Sequence, residues 1–434
     1  MPLTPGTSHA GTLPAAAAKT RKTTKTLSAG IGLCAAAIAV VLASAGCSPS
    51  PSHSAGRPSS AAMAKQETTS TVQHWGSFFG GAKGNFDIEK SPVPVTLPGT
   101  VAEVGSSNST EYALLTSGSL YAWGLGTQGQ LGDGLRVNSF SSPVRVRFPA
   151  GVRIASIPGD VMPYDTGLAV DTRGNVWGWG DNGGGELCLG NTTEYSTPVE
   201  LPLAGVTALA GASNHALYDA RGMVYACGQN VDGDLGDGTR YNSTTPRRVA
   251  RLGGLSVTTL VASFASSGAL LSDGRYFDWG FDGSGQLGDG SVHHSSDVPV
   301  HVRLPHRVTQ VAQGGSIWNN GQTLVMLSNG SLWSWGNDRA AQLGDGLTDM
   351  KARPVRFHAP SGVVYRSLAS GSATSYAISA TGSVYAWGVG HVGQVGDGHT
   401  RTAVNSVVVA TGAASISATA NNAVISLPGR TRKS

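Results

Sequence analysis

Charge is scarce in this chain: Asp, Glu, Lys and Arg make up 13% of its 434 residues, about half the ~25% of an ordinary globular protein. Gly and Ser fill positions where a helical bundle or coiled coil would need Ala, Leu, Glu and Lys, and both are excluded. No Gly-X-Y period appears, which excludes collagen. Cationic runs are also missing. Between residues 72 and 428 there are 21 basic and 25 acidic residues, a net of −4, with no cluster beyond Arg247-Arg248 and Arg251. The formal +4 of the whole chain comes from its two ends, so the clustered cations that nucleic-acid binding requires are lacking. Hydrophobic (40%) and aromatic (7%) residues suffice for a core, which excludes wholesale disorder. What is abundant is glycine: 61 residues, about 14% and twice the usual ~7% share. A large, turn-rich β protein remains.

The N-terminus has an order of its own. Lys19, Arg21, Lys22 and Lys25 precede the apolar run 27–46, LSAGIGLCAAAIAVVLASAG, in the manner of an export signal. The run ends Ser44-Ala45-Gly46-Cys47 and passes into a Ser/Pro/Ala-rich tether that cannot pack. Small residues before a cysteine resemble the bacterial lipobox, which implies lipidation of Cys47, although Ser44 stands where that motif usually has Leu. An uncleaved anchor is an alternative, since about 20 apolar residues span a bilayer; ordinary cleavage is a third. All three place the remainder outside the cytoplasm, at the outer face of the membrane or secreted. The expected organisation is 1–47 targeting segment, 48–71 flexible linker, 72–428 folded ring and 429–434 basic tail.

Internal repeats carry the fold. Trp-Gly recurs at Trp75, Trp123, Trp179, Trp279, Trp335 and Trp387, with Cys227-Gly228 filling the one gap, at spacings of 48, 56, 48, 52, 56 and 52 residues. GLGTQGQLGDG follows Trp123, GQNVDGDLGDG follows Cys227, and GFDGSGQLGDG, GNDRAAQLGDG and GVGHVGQVGDG follow the later tryptophans; the third unit has the variant GDNGGGELCLG. A Pro-containing alternating segment, an apolar strand, a small-residue turn and a further strand such as EYALL (111–115) complete each unit. Four short strands per unit, seven times over, predict an all-β, seven-bladed propeller with four-stranded blades. TVQHWG (71–76) supplies the strand that SISATANNAVISL (415–427) lacks, so pairing the N- and C-terminal strands closes the ring and hides its edges.

The pattern (V/L)YxWGxxxxGQLGDGxxxxxxxPxxV resembles the regulator of chromosome condensation repeat over essentially all of residues 72–428. The first unit lacks Gly-Asp-Gly, the fourth has Cys227 for Trp, and the family's usual His before the Ala-Leu strand stands only as His215. The resemblance implies a ring that binds partners through its loops. Guanine-nucleotide exchange, the activity of the family's nuclear member, needs a cytosolic or nuclear GTPase, which the export signal opposes. A secreted actinobacterial β-lactamase inhibitor within the family makes inhibition of an envelope enzyme an alternative. A cell-wall glycan enzyme would need clustered carboxylates at the channel mouth.

The repeated residues read as structural. A tryptophan plate can pack between blades with one indole N–H to satisfy. Asp133, Asp237, Asp289, Asp345 and Asp397 each sit between glycines, where an Asp side chain bonds backbone two residues on. Five aspartates spread around a ring do not converge as catalysis demands. GxGxxG at 124–129 and 388–393 follows a strand but precedes no helix, so no dinucleotide site is expected. Asp232-Gly-Asp-Leu-Gly-Asp237 lacks the terminal Glu of a calcium loop. His293, His294, Asp297, His301 and His306 meet no fixed ligand spacing. No cofactor and no metal are expected. For Cys188 and Cys227, an oxidising compartment permits a bridge. Cys227 replaces a packing Trp and Cys188 lies in the turn of the preceding unit, which reads against one and leaves the pairing open.

Function is therefore sought in the variable segments after Gly-Asp-Gly. These hold Phe140, Tyr195, Tyr241, His293, His294 and Met350 at similar offsets, on one face of the disc if the units are rotated copies. The expectation is a monomeric, non-catalytic scaffold tethered to the membrane, binding an unknown envelope or extracellular protein through these loops and binding no nucleic acid.

Overall fold

The computed structural model describes residues 70–77 and 88–428 apart from 108, 159–161, 213, 265, 293 and 317–320. The targeting segment with Cys47, the linker to residue 69, His293 and the basic tail lie outside the described residues. Contacts divide the chain between Ala64 and Lys65, and the described residues belong to the second unit.

The four-strand rhythm of the repeat is realised as seven antiparallel, four-stranded sheets. Blade I joins the two ends of the ring. Ser70–Ser77 and Ile88–Leu97 are its outer strands, and Ser415–Ala418 and Asn422–Ser426 its inner ones. Val72 pairs with Ser426 and Gly76 with Asn422, so closure is an ordinary antiparallel ladder. Blades II to VII are each four consecutive strands, a to d, opening at Val101, Ile154, Val206, Val257, Val308 and Tyr365. The a strands of neighbouring blades touch and line the central channel. An up-and-down meander puts the a–b and c–d links at one end of the ring. The b–c turns and the connections to the next blade lie at the other.

No single central core exists. Seven apolar clusters form instead, each spanning the seam between two blades. Five seams share one device. The indole of Trp179, Trp279, Trp335, Trp387 or Trp75 is fully buried and donates at 2.8–2.9 Å to the backbone carbonyl of Gln130, Asp234, Gln286, Gln342 or Gln394 in the preceding blade. That residue opens the repeat's Gln-Leu-Gly-Asp-Gly. Its first glycine then lies flat against the same indole: a Cβ on Gly288 would meet Trp335 Nε1 at 2.7 Å, and φ there is +64°. The motif is therefore a socket for the next blade's tryptophan, and the spacing of about one unit between them is the blade-to-blade step.

Two seams depart from the device. Cys188 and Cys227 are disulfide-bonded, with Cα atoms 5.5 Å apart. Here the sequence reading is corrected. Cys188 occupies the glycine position of the socket, at φ +59°, and Cys227 the tryptophan position of the next blade. Two residues that elsewhere touch as Gly and Trp here touch as a covalent pair. Without an indole, Tyr218 supplies the donor, its hydroxyl reaching the Glu186 carbonyl at 2.9 Å. At the seam between blades I and II, Trp123 is buried with no well-placed acceptor for its N–H. It faces Glu111, whose burial beside that indole pushes its carboxyl well above the usual range; Asn422 Nδ2 donates to Glu111 at 3.1 Å.

Substituting either half of a seam should be costly. Trp335→Ala is expected to lower unfolding free energy by roughly 3–5 kcal/mol. Gly288→Ala should lower it by roughly 2 kcal/mol or more, because it combines a left-handed backbone with overpacking. Urea unfolding followed by tryptophan fluorescence checks both; an unchanged midpoint for Gly288→Ala would contradict the socket.

Candidate functional site

The c–d loops run from the socket to the outer strand of each blade, and their rigidity is local hydrogen bonding. In each Gly-Asp-Gly the aspartate accepts the N–H two residues on: Asp133 from Leu135, Asp237 from Thr239, Asp289 from Ser291, Asp345 from Leu347 and Asp397 from His399, at 2.7–3.0 Å. The glutamine of the socket folds back on its own loop. Gln130, Gln286, Gln342 and Gln394 each accept the N–H two residues earlier through Oε1. One further bond ties four of these loops to the next blade, as in Gly134 N to Ser196 O (2.9 Å) and Gly290 N to Ala352 O (2.8 Å). The GxGxxG at 124–129 belongs to this architecture. A Cβ on Gly126 would lie 2.1 Å from the Val137 carbonyl, so glycine there permits the loop to close on itself.

On these loops the structure brings the singled-out residues to one rim but does not expose them equally. Tyr241, two residues before strand Ser243–Arg248, is 81% exposed. Met350, just before Lys351–Arg356, is 39% exposed, and His294 is exposed. Phe140 lies inside strand Ser139–Arg145 and packs half-buried against the seam cluster of Trp123. Tyr195 begins strand Tyr195–Ala204, packs against the disulfide cluster, and its hydroxyl accepts from Asn191 Nδ2 at 3.3 Å. The rim also carries apolar residues that residue-type reasoning passed over: Leu135 (52%), Val137 (63%) and Leu347 (53%). A usable signal was present, since Leu135 and Leu347 follow Gly-Asp-Gly in what otherwise reads as a polar loop.

Elsewhere the polar chemistry serves the seams. His215 is fully buried, its Nε2 3.0 Å from Ser267 Oγ across a seam, and burial lowers its pKa to about 4, so the ring is neutral. The channel cavities, of about 300 and 20 Å³, have walls of Ser, Thr, Gly and aliphatic side chains together with Tyr164, Phe264 and Gln313, and neither is lined by a carboxylate. Among the described residues no group of three or more His, Cys, Asp or Glu is placed to hold a metal. Buried carboxylates are instead distributed, one here and one there, around the ring.

Two of them stand where the socket normally has glutamine. Glu186 Oε2 accepts the Gly184 N–H at 3.0 Å and Asp234 Oδ2 the Asp232 N–H at 3.4 Å, repeating the glutamine contact. Burial, reinforced by Asp181, pushes Glu186 up to about 8; burial, reinforced by Asp232, pushes Asp234 to about 7. The folded state thus holds a proton on Glu186 that an unfolded chain releases near 4.5. Its contribution to stability is complete below that value and is lost as pH rises through about 8. Glu186→Gln keeps the acceptor and removes the titration. Melting curves should therefore match wild type near pH 5 and exceed it at pH 9 by roughly 1–3 kcal/mol of stability. Parallel pH profiles for the two proteins would refute the assignment.

Comparison with known proteins agrees with this geometry. Residues 117–158, 221–268 and 273–317 match the Regulator of chromosome condensation (RCC1) repeat. The human E3 ubiquitin-protein ligase HERC2 is 30% identical over 293 residues, 65% of this chain but 6% of the ligase. The Arabidopsis thaliana ultraviolet-B receptor UVR8 is 29% identical over 363 residues, 80% of this chain and 78% of the receptor. Among solved structures, Prp20p from Saccharomyces cerevisiae superposes with a TM-score of 0.69 at 20% identity, over 84% of this chain and 93% of that one. Three stretches of the chain thus match the RCC1 repeat, and its architecture is a seven-bladed propeller.

Proposed function

We propose that the ring is a non-catalytic protein-interaction scaffold, displayed outside the cytoplasm and held at the membrane through its N-terminal segment. The observation that carries the binding role is the gathering of exposed apolar side chains on the c–d rim, among them Tyr241, Leu135, Leu347 and Met350. A stiff loop that leaves such groups in water presents them to a partner at little further entropic cost. The likeness to a light receptor and to one segment of a ligase supports a binding ring and names no partner for it. Display outside the cytoplasm is supported by the seam disulfide. A buried Cys188–Cys227 bond in place of the Gly–Trp contact needs an oxidising compartment to form and persist. The basic and apolar leader ending at Cys47 supports the same reading.

Two measurements test the proposal separately. In cells, alkylation before reduction should spare Cys188 and Cys227 and alkylation after reduction should label both; labelling of both without reduction would remove the case for an exported ring. In affinity capture with the full chain, Tyr241→Ala, Leu347→Ala and Met350→Ala together should abolish recovery of the envelope partner while the melting temperature stays within a few degrees. Undiminished capture by the triple variant would move the binding surface off this rim. A third variant links the two halves of the seam argument. Cys188→Gly with Cys227→Trp should restore the Gly–Trp contact and fold under reducing conditions. Cys227→Ala alone should cost about 2–4 kcal/mol, measured by urea unfolding.

A further inference from the structure

The end of the ring opposite the c–d rim has a different chemistry. Its cations are arginines. The only lysines between residues 72 and 428 are Lys83, Lys90 and Lys351, and Lys351 opens a d strand at the rim end, paired with Asp345 and Asp349. The arginines collect at the b–c turns and at the connections to the next blade, so the net of −4 conceals a segregation of charge along the ring axis.

A recess lies there, on blade V, between the turn after strand Ser266–Leu271 and the connection after strand Ser296–Val302. It measures about 610 Å³, within the range of ligand-binding clefts. Arg275, Arg303, Arg307, His301 and His306 supply its polar wall, and Val302, Leu304 and Pro305 its apolar one. Arg275 is pre-set, its Nε 2.7 Å from Asp273 Oδ2 and its guanidinium 5.9 Å from the centre of the Phe277 ring. Phe277 in turn packs 5.2 Å from His301. The exposed guanidinium groups of Arg303 and Arg307 make no ion pair among the described residues. The feature is repeated on blade II, where a recess of about 400 Å³ is lined by Arg145, Arg147 and Phe148. On blade IV, Arg247 and Arg248 end the d strand at the same level.

We propose that these arginine recesses, with the blade V recess as the principal one, bind an acidic segment of a partner protein through its Asp and Glu carboxylates. Arginine's planar fork pairs two-to-two with a carboxylate and is less strongly hydrated than an ammonium, so it suits a contact that must shed water. A concave recess with an apolar wall accommodates a side chain and its neighbours, which a flat headgroup plane does not exploit. Asp273 inside the recess tolerates a singly charged carboxylate better than a doubly charged phosphate. Nucleic acid is disfavoured by the interruption of the cations. Glu200 on blade III pairs with Trp177 in the register where Arg145 pairs with Tyr121 and His301 with Phe277, so no continuous phosphate track runs from blade II to blade V. This surface is independent of the rim and stands if the rim reading fails.

Fluorescence anisotropy with a labelled hexaglutamate peptide and the full chain tests the proposal, with inorganic phosphate and phosphatidylglycerol vesicles as competing probes. Wild type should bind the peptide in a salt-dependent manner. Arg303→Glu with Arg307→Glu should weaken binding at least about tenfold, while Arg401→Glu at the other end should leave it unchanged. Arg303→Lys with Arg307→Lys keeps the charge and loses the fork. A partial loss of about threefold to tenfold is expected there, and it gives a second reading should charge reversal disturb folding. Equal peptide binding by the reversed variant, no binding by wild type, or vesicle or phosphate binding that outcompetes the peptide would each overturn the proposal.

Discussion

The bond from a tryptophan indole to a backbone carbonyl one blade away is the interaction on which the molecule depends. A four-stranded blade has two apolar faces and cannot bury either by itself; each face finds cover only against a neighbour. The indole supplies most of that cover in one rigid plate, and its single polar atom fixes how deep and at what angle the plate enters. The Gly of the socket is small because the plate lies on it, and the following Asp ties down the turn that holds the carbonyl in place. Glycine abundance, tryptophan spacing and the recurrent aspartate are thus one requirement seen three ways.

The exceptions show that the seam is selected as a contact and not as a sequence. Where glycine and tryptophan are both absent, two cysteines occupy their places and bond. Where glutamine is absent, Glu186 and Asp234 make its backbone contact through a carboxyl oxygen, and burial raises both carboxyls toward the neutral form. Where Trp123 has no well-placed carbonyl acceptor, a buried Glu111 faces its N–H instead. The carboxyls of Glu186 and Asp234 keep a buried acceptor for a backbone N–H that would be expensive to leave open. The disulfide makes the seam between blades III and IV conditional on oxidation, and the raised carboxyls of Glu186 and Asp234 add a pH dependence to that seam and to the one closed by Trp279. The sockets of Trp179, Trp335, Trp387 and Trp75 are built on glutamine.

Much of this was legible in the chain. Trp-Gly and Gly-Asp-Gly at fixed offset gave the blade count, and the split unit at the two ends gave the closure, because strand pairing leaves a period that survives sequence drift. The role of Asp133 and its counterparts was legible because an Asx turn is local. The disulfide is not legible from residue type, because Cys188 falls in a turn and Cys227 in a packing position, and that these two positions meet is a matter of the seam geometry that five other blades share. Each socket glycine stands nine positions after the Trp of its own unit, and Cys188 stands nine after Trp179, so aligning the units on that offset sets Cys188 in the socket that receives position 227. Phe140 and Tyr195 matched Tyr241 in residue type but not in register. Counted from the aspartate position of the unit, Tyr241 stands four residues on, in the loop, whereas Tyr195 and Phe140 stand six and seven on, inside the d strand, where the ring packs.

Topology also redistributes charge in a way that no sum reveals. A meander sends alternate links to opposite ends, so residues that follow strand b or strand d accumulate at one pole and those that follow strand c at the other. The arginine-bearing turns and the aspartate-bearing loops are interleaved every ten to twenty residues along the chain, and a running count sees them cancel. In the ring they are separated by the length of a strand. Because the seams fix the blades, neither pole needs to move to serve the other. Substitutions in the b–c turns change one surface without disturbing the sockets, which lie on the c–d side. A closed ring held by repeated seams therefore offers two chemically distinct faces that can diverge independently, and the polarity of this one is a property of its connections as much as of its composition.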